Sequence, residues 1–214
     1  MTPTIVIGDL HADLAAYRSA IRRHGARLPS IQVGDFGIGH FSEREVEEVQ
    51  RLHRAHPGRR FIRGNHDRLP ELPGTPGWIP DGTISGRVLF LGGADPGAAT
   101  QIPASQAERL LVELAELADK PTVIISHDAP QAVAEQVFHH TAILGSGTAD
   151  PGRGIGPSRT RTFLTEVQNR VQPELWIFGH WHEAWQGQNG ATTFRCMGFQ
   201  ESFILPLPWD PHRT

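Results

Sequence analysis

Five short apolar runs along the chain each stop and give way, within a residue or two, to side chains rich in lone pairs. Ile5-Val6-Ile7 leads to Asp9 and His11, and Ile31-Gln32-Val33 leads to Asp35. Phe61-Ile62-Arg63 leads to Asn65 and His66, Val123-Ile124-Ile125 to His127, and Trp176-Ile177-Phe178 to His180 and His182. A short buried strand delivers a side chain to a fixed point at its C-terminal end. Five such strands side by side in one sheet are therefore expected to converge on a single rim.

Between these runs the pattern changes period. Residues 13–21 have helical spacing of apolar positions, with Gly25 as a stop. Ser42-Glu43-Arg44-Glu45 offers an N-cap with Glu at the third helical position and opens an amphipathic helix to about His56. Pro70, Pro73, Pro76 and Pro80 make residues 69–83 an ordered loop. A strand is predicted over 87–91. A helix follows over 104–118, with Leu110, Leu111, Leu114 and Leu117 on one side. Further along, strand 122–126 and helix 159–171 alternate with strand 174–178. Two short segments, 184–188 and 192–196, flank Asn189-Gly190, a strong hairpin signal. With no repeat and no domain boundary in sight, the expectation is one α/β domain over residues 1–214, layered as an αββα sandwich with mixed sheets.

Composition narrows the classes. At 214 residues the chain suffices for one large core. No long apolar stretch or signal-like segment precedes the first strand, so the expectation is a soluble, cytoplasmic protein without membrane contact. Cys196 is the single cysteine, which excludes intrachain disulfides and a cysteine-based structural zinc site. A formal net charge of −3 gives no broad surface for duplex nucleic acid.

The donor set has its own logic. Two carboxylates, one amide oxygen and four imidazoles exceed what a single divalent ion uses. Lacking thiolate, they favour Mn, Fe, Ni, Co or Zn in an open site. Seven ligands suit two ions, and Asp35, arriving alone on its strand, is assigned as the bridge, holding the ions roughly 3.5–4 Å apart. Such a pair attracts an anion and lowers the pKa of a shared water enough to make hydroxide near neutral pH. A glycine precedes four of the five candidate positions, as at Gly34 and Gly64, where a missing Cβ lets the backbone bend tightly. The remaining histidines, His24, His40, His53, His56, His139, His140 and His212, match no block and read as surface or loop residues.

The ordered blocks Asp9-Leu10-His11, Gly34-Asp35, Gly64-Asn65-His66-Asp67, His127 and Gly179-His180-Trp181-His182 resemble those of the calcineurin-like metallophosphoesterase family. The resemblance implies that Asp9, His11, Asp35 and His182 hold one metal, and Asp35, Asn65, His127 and His180 the other, with manganese the leading candidate. It further implies that His66 assists the leaving group, and Asp67 beside it is assigned to holding the ring. The function expected is hydrolysis of a phosphoester by a two-metal-activated hydroxide, on a phosphodiester or a phosphorylated small molecule or nucleotide. Serine/threonine phosphatases of the family carry a GD-x-x-DRG block where this chain reads Gly34-Asp35-Phe36-Gly37-Ile38-Gly39, which disfavours that branch. A nuclease and a non-catalytic binding module on the same fold are the rival functions. Asn65, Arg153 and Arg159 are assigned to the substrate, the arginines because the glycine-rich stretch 145–156 offers a loop able to close over phosphate. Oligomeric state is not legible.

Overall fold

The computed structural model describes residues 1–95, 101–144, 155–156 and 158–212. Ten strands and five α-helices lie among them. The first half runs β1 (Thr2–Ile7), α1 (Leu14–His24), β2 (Ser30–Gln32), α2 (Glu43–Ala55), β3 (Arg59–Phe61), β4 (Ile84–Ser85) and β5 (Val88–Leu91). Then come α3 (Ala104–Glu116), β6 (Val123–Ser126), α4 (Gln131–Leu144), α5 (Arg159–Val171), β7 (Leu175–Phe178), β8 (Trp185–Asn189), β9 (Thr192–Cys196) and β10 (Ser202–Leu207).

The strands form two sheets, not the single sheet expected from the five runs. One has the order β10-β1-β2-β3 and the other β4-β5-β6-β7-β9-β8. Within them β1, β2 and β3 are mutually parallel, as are β5, β6, β7 and β9, while β10, β4 and β8 are antiparallel to their neighbours. The period of two explains the layering. Val6, Val88, Phe90, Val123, Ile125 and Ile177 point inward and join the two sheets in one apolar layer. Their neighbours Ile5 and Ile7 pack outward under Leu14, Tyr17 and Ile21 of α1 and Val49 of α2. Leu89, Leu91, Ile124, Trp176 and Phe178 pack outward under α3, α4 and α5. Both faces of these strands are thus buried, which is why they read as continuous apolar runs. The αββα sandwich follows, and its parallel strands bring their C-terminal ends to one shared edge.

Local signals are seen to operate. Asp13 caps α1, its Oδ1 accepting from the Ala16 amide at 2.8 Å, and Ser42 and Glu45 form a capping box on α2. Three elements departed from expectation. Helix α4, where no helix was predicted, begins four residues after His127 and carries His139, exposed as expected, and the half-buried His140. Strand β10 contains Pro206, tolerated because β10 is an edge strand. His53 is no surface residue: it is 2% exposed, stacked on Tyr17 and set edge-on to Phe36 and Phe61, with its Nδ1 donating to the Val49 carbonyl at 2.9 Å. No helix of the described residues is long and apolar enough to cross a membrane.

Burial holds the His53 pKa down at about 4, from an ordinary 6.5. Between those values the unfolded chain takes up a proton that the folded chain refuses, so stability present above pH 6.5 is lost as pH falls. The expected loss from this group is roughly 3 kcal/mol by pH 4. His53→Gln should lose that much less between pH 7 and pH 4 in urea unfolding; an unchanged loss would clear His53 as the source.

Candidate metal centre

The loops that follow β1, β2, β3, β6 and β7 meet at the shared edge. Backbone bonds splice the first two together: the amides of Leu10 and His11 both donate to the Asp35 carbonyl, at 3.1 and 2.9 Å. The Asp35 carboxylate accepts the His66 amide at 2.8 Å, and Asp9 accepts the His180 amide at 3.2 and 3.1 Å. Close approach sets the residue types around them. A Cβ on Gly64 would lie 1.9 Å from Asp35 Oδ1, and Gly34, at φ +104°, would put one 2.3 Å from the His127 ring. The backbone itself is unusual. His11, Asp35, His180 and His182 all have positive φ, between 46° and 69°, a region few non-glycine residues enter and one that clusters at functional sites.

Side chains from both sheets converge on the two buried carboxylates. His182 Nε2 lies 3.2 Å from Asp9 Oδ2 and 2.9 Å from His11 Nε2. His11 Nε2 is 3.7 Å, and His127 Nε2 3.4 Å, from Asp35 Oδ2. Three groups have mutual spacing suited to a cation: Asp9 with His11 and His182, His11 with Asp35 and His66, and Asp9 with Asp35 and His127. Asp35 belongs to two of the three and stands between His11 and His127. His180 is brought alongside, its ring 5.1 Å from that of His127, without joining any of the three groups.

The lone pairs decide what fits there. His127 Nδ1 sits 3.0 Å from the Val33 carbonyl, which only accepts, so Nδ1 carries the hydrogen and Nε2 is the nitrogen left for the site. That nitrogen faces Asn65 Oδ1 at 3.0 Å as well as Asp35. Two acceptor oxygens around one nitrogen, and two imidazole nitrogens 2.9 Å apart, call for positive charge among them, as protons or as metal. Burial opposes a charge on His127, but Asp35 and then Asp9 outweigh it and raise its pKa. Burial likewise opposes ionised Asp35, and His127 overrides it, holding that carboxyl well below the usual range. Desolvation lowers His11 and His180; the bond to Asp9 raises His182. Hard carboxylates and imidazoles with no thiolate suit first-row divalent metals, and the residues present fit them.

The other assigned residues are distributed unevenly. His66 is exposed at the mouth, its ring 5.0 Å from that of His11. Asp67 does not hold that ring. Its buried carboxylate accepts the amides of Gly37, Ile38 and Gly64 at 2.7–2.8 Å and that of Phe36 at 3.2 Å, clamping the loop after β2 to the loop after β3. Arg153, with most of the 145–156 loop, lies outside the described residues. Arg159 is exposed at the start of α5 and lines a cleft with Ala104, Ala107 and Phe163, away from the Asp–His cluster. The arginine turned toward the site is Arg161, 3.6 Å from Asp128, which also accepts from Trp181 Nε1 at 3.1 Å. The signal for this brace was Asp128 directly after His127, and only the fold pairs it with Arg161.

The family of calcineurin-like phosphoesterases matches residues 2–184, and the chain belongs to it. Membership places the chain among phosphoester hydrolases. No curated protein matches the sequence significantly. Among solved structures, phosphopantetheinyl hydrolase (PptH) from Mycobacterium tuberculosis is 13% identical, with a TM-score of 0.53 over 92% of this chain and 90% of that one. A putative 5'-nucleotidase from Staphylococcus aureus is 14% identical, TM-score 0.53, over 92% of this chain and 48% of its own length. An anchor in the inner membrane complex of Plasmodium is 12% identical, TM-score 0.52, over 92% and 71%. At these identities the likeness shows the fold.

If Asp67 is a clamp, Asp67→Ala leaves four buried amides without an acceptor and should destabilise the protein by about 3 kcal/mol in urea unfolding. A loss below about 1 kcal/mol accompanied by collapse of activity would return Asp67 to a direct role on His66.

Proposed function

We propose that this chain is a phosphoester hydrolase that uses two divalent cations and acts on phosphodiesters or on phosphorylated small molecules and nucleotides. The observation that carries the reading is the buried Asp35 carboxylate set between His11 and His127, with Asp9 and His182 on one flank and Asn65 on the other. In this proposal Asp9, His11, Asp35 and His182 hold one cation, and Asp35, Asn65, His127 and His180 the second. Manganese is the first choice for both, with iron, zinc, nickel and cobalt also suited to the donors. When bound, the pair supplies Lewis acidity toward the phosphoryl oxygens and activates water as the nucleophile.

The chain's own residues do the rest. Asp9 and Asp35 hold the imidazole donors in place, and the Val33 carbonyl fixes the His127 tautomer so that Nε2 faces inward. His66, protonated at the mouth, gives its proton to the departing alkoxide oxygen, which matters most when that alcohol is a poor leaving group. The Asp67 clamp keeps His66 and Asp35 in register through the loops that bear them.

Reconstitution with Mn²⁺, metal analysis and turnover on a panel of phosphomonoesters, diesters, cyclic nucleotides and dinucleoside polyphosphates tests the reading. Two metals per chain and hydrolysis within the panel are expected; a chain that binds no metal would be a binding module instead. Asp35→Ala should drop the metal content below one per chain. His66→Ala should keep both metals and lose roughly 100-fold in kcat on alkyl esters but far less on nitrophenyl esters. Equal losses on both would remove His66 from the proton-donor role.

A further inference from the structure

Six large hydrophobic side chains of the described residues are exposed, and Phe199 is the one aromatic among them, with 47% of its surface open. It stands against two members of the Asp–His cluster. The ring centroids are 5.8 Å apart for His11 and 5.2 Å apart for His182. The segment that presents it is tied on both sides. The Phe199 amide donates to the His182 carbonyl at 3.4 Å and the Gln200 amide to the Asp9 carbonyl at 3.0 Å. The Gln200 side chain reaches Asp13 at 3.0 Å, and Glu201 accepts from the Gly198 amide at 2.9 Å and from Arg195 at 2.8 Å. Gln200 itself is held at φ 55°, a conformation unfavourable to a residue with a Cβ. A ring left in water by fraying would not be anchored to both candidate ligand loops. This one is built into the lip of the site.

We infer that Phe199 is a stacking platform for the organic part of the substrate, and that the esters taken here carry a flat aromatic ring on the alcohol beside the phosphate. The inference rests on the phosphoester reading of the site. His66 and Phe199 both border the His11 ring, at 5.0 and 5.8 Å between centroids, and in this proposal the departing alcohol sits beside that ring, between them. Phenylalanine offers a π face and no hydrogen bond, so it selects for flatness and not for the pattern of donors on a base. A nucleobase and a simple aryl group both satisfy it.

The test compares benzylphosphonate with cyclohexylmethylphosphonate, measured by calorimetry on the full chain reconstituted with Mn²⁺. The two have the same charge and nearly the same size, differ in ring flatness, and contain no ester to cleave. Benzylphosphonate should bind roughly two- to tenfold more tightly. Phe199→Leu should bring the ratio to about one, and Phe199→Trp should restore it. Equal affinities in the parent, or a preference that survives Phe199→Leu, would overturn the platform. The phosphonate analogue of adenosine monophosphate, run alongside, separates the two sources. Tighter binding than benzylphosphonate assigns the platform to nucleobases, and weaker binding assigns it to aryl groups. Absence of binding by every phosphonate would instead strike down the phosphoester reading itself.

Discussion

The Asp35 carboxylate is the point to which both halves of the sandwich are tied. It is buried, it accepts an amide from the β3 loop, its own carbonyl receives two amides from the β1 loop, and it faces His127 at the end of β6 across the sheet boundary. Such a charge is tolerable in an apolar interior only when positive charge meets it at close range. Every neighbouring choice follows from that need. Gly64 clears space for it, Gly34 clears space for the His127 ring that faces it, and the imidazoles supply nitrogen at the right reach. The Asp67 clamp then stops the two loops from drifting apart.

The arrangement also shows how a site can be more demanding than the fold that carries it. The apolar layers would tolerate a good deal of substitution, because each is a broad surface of aliphatic contacts. The edge would not. Four of its side chains ride on backbone held in a sparsely populated conformation, and that strain persists because surrounding bonds over-determine it. Stability lent by the layers is spent at the rim, where side chains are aimed.

Much of this was legible along the chain. The five apolar runs and the donors that close them mark strand ends, while the apolar spacing stopped by Gly25 places α1 and the cap at Ser42 places α2 to within a residue or two. What stayed hidden has physical reasons. Strands buried on both faces read alike whether they share a sheet or face one another, so nothing in the runs separated β1, β2 and β3 from β6 and β7. Pro206 masked β10, since proline speaks against a strand unless its edge position is known. Helix α4 is apolar over a wide arc, with Val133, Ala134, Val137 and Phe138 all buried, so it carries no clear amphipathic stripe. Asp67 followed His66 in sequence, and adjacency suggested a contact that the turn of the chain directs elsewhere. His53 shows the converse: one polar residue among apolar neighbours is invisible as core until its cage of rings is assembled.

The bond between the His180 amide and Asp9 spans 171 residues, and the strand that flanks β1 comes later still. Ribosomal synthesis runs from one end to the other, so the first carboxylate emerges long before the His180 amide and the His182 ring that meet it. During that interval β1 has no partner on its β10 side. Closure of so long a loop is a slow kind of folding event. The rim therefore closes only after residues 180–182 have been made, long after the strands that carry its first donors.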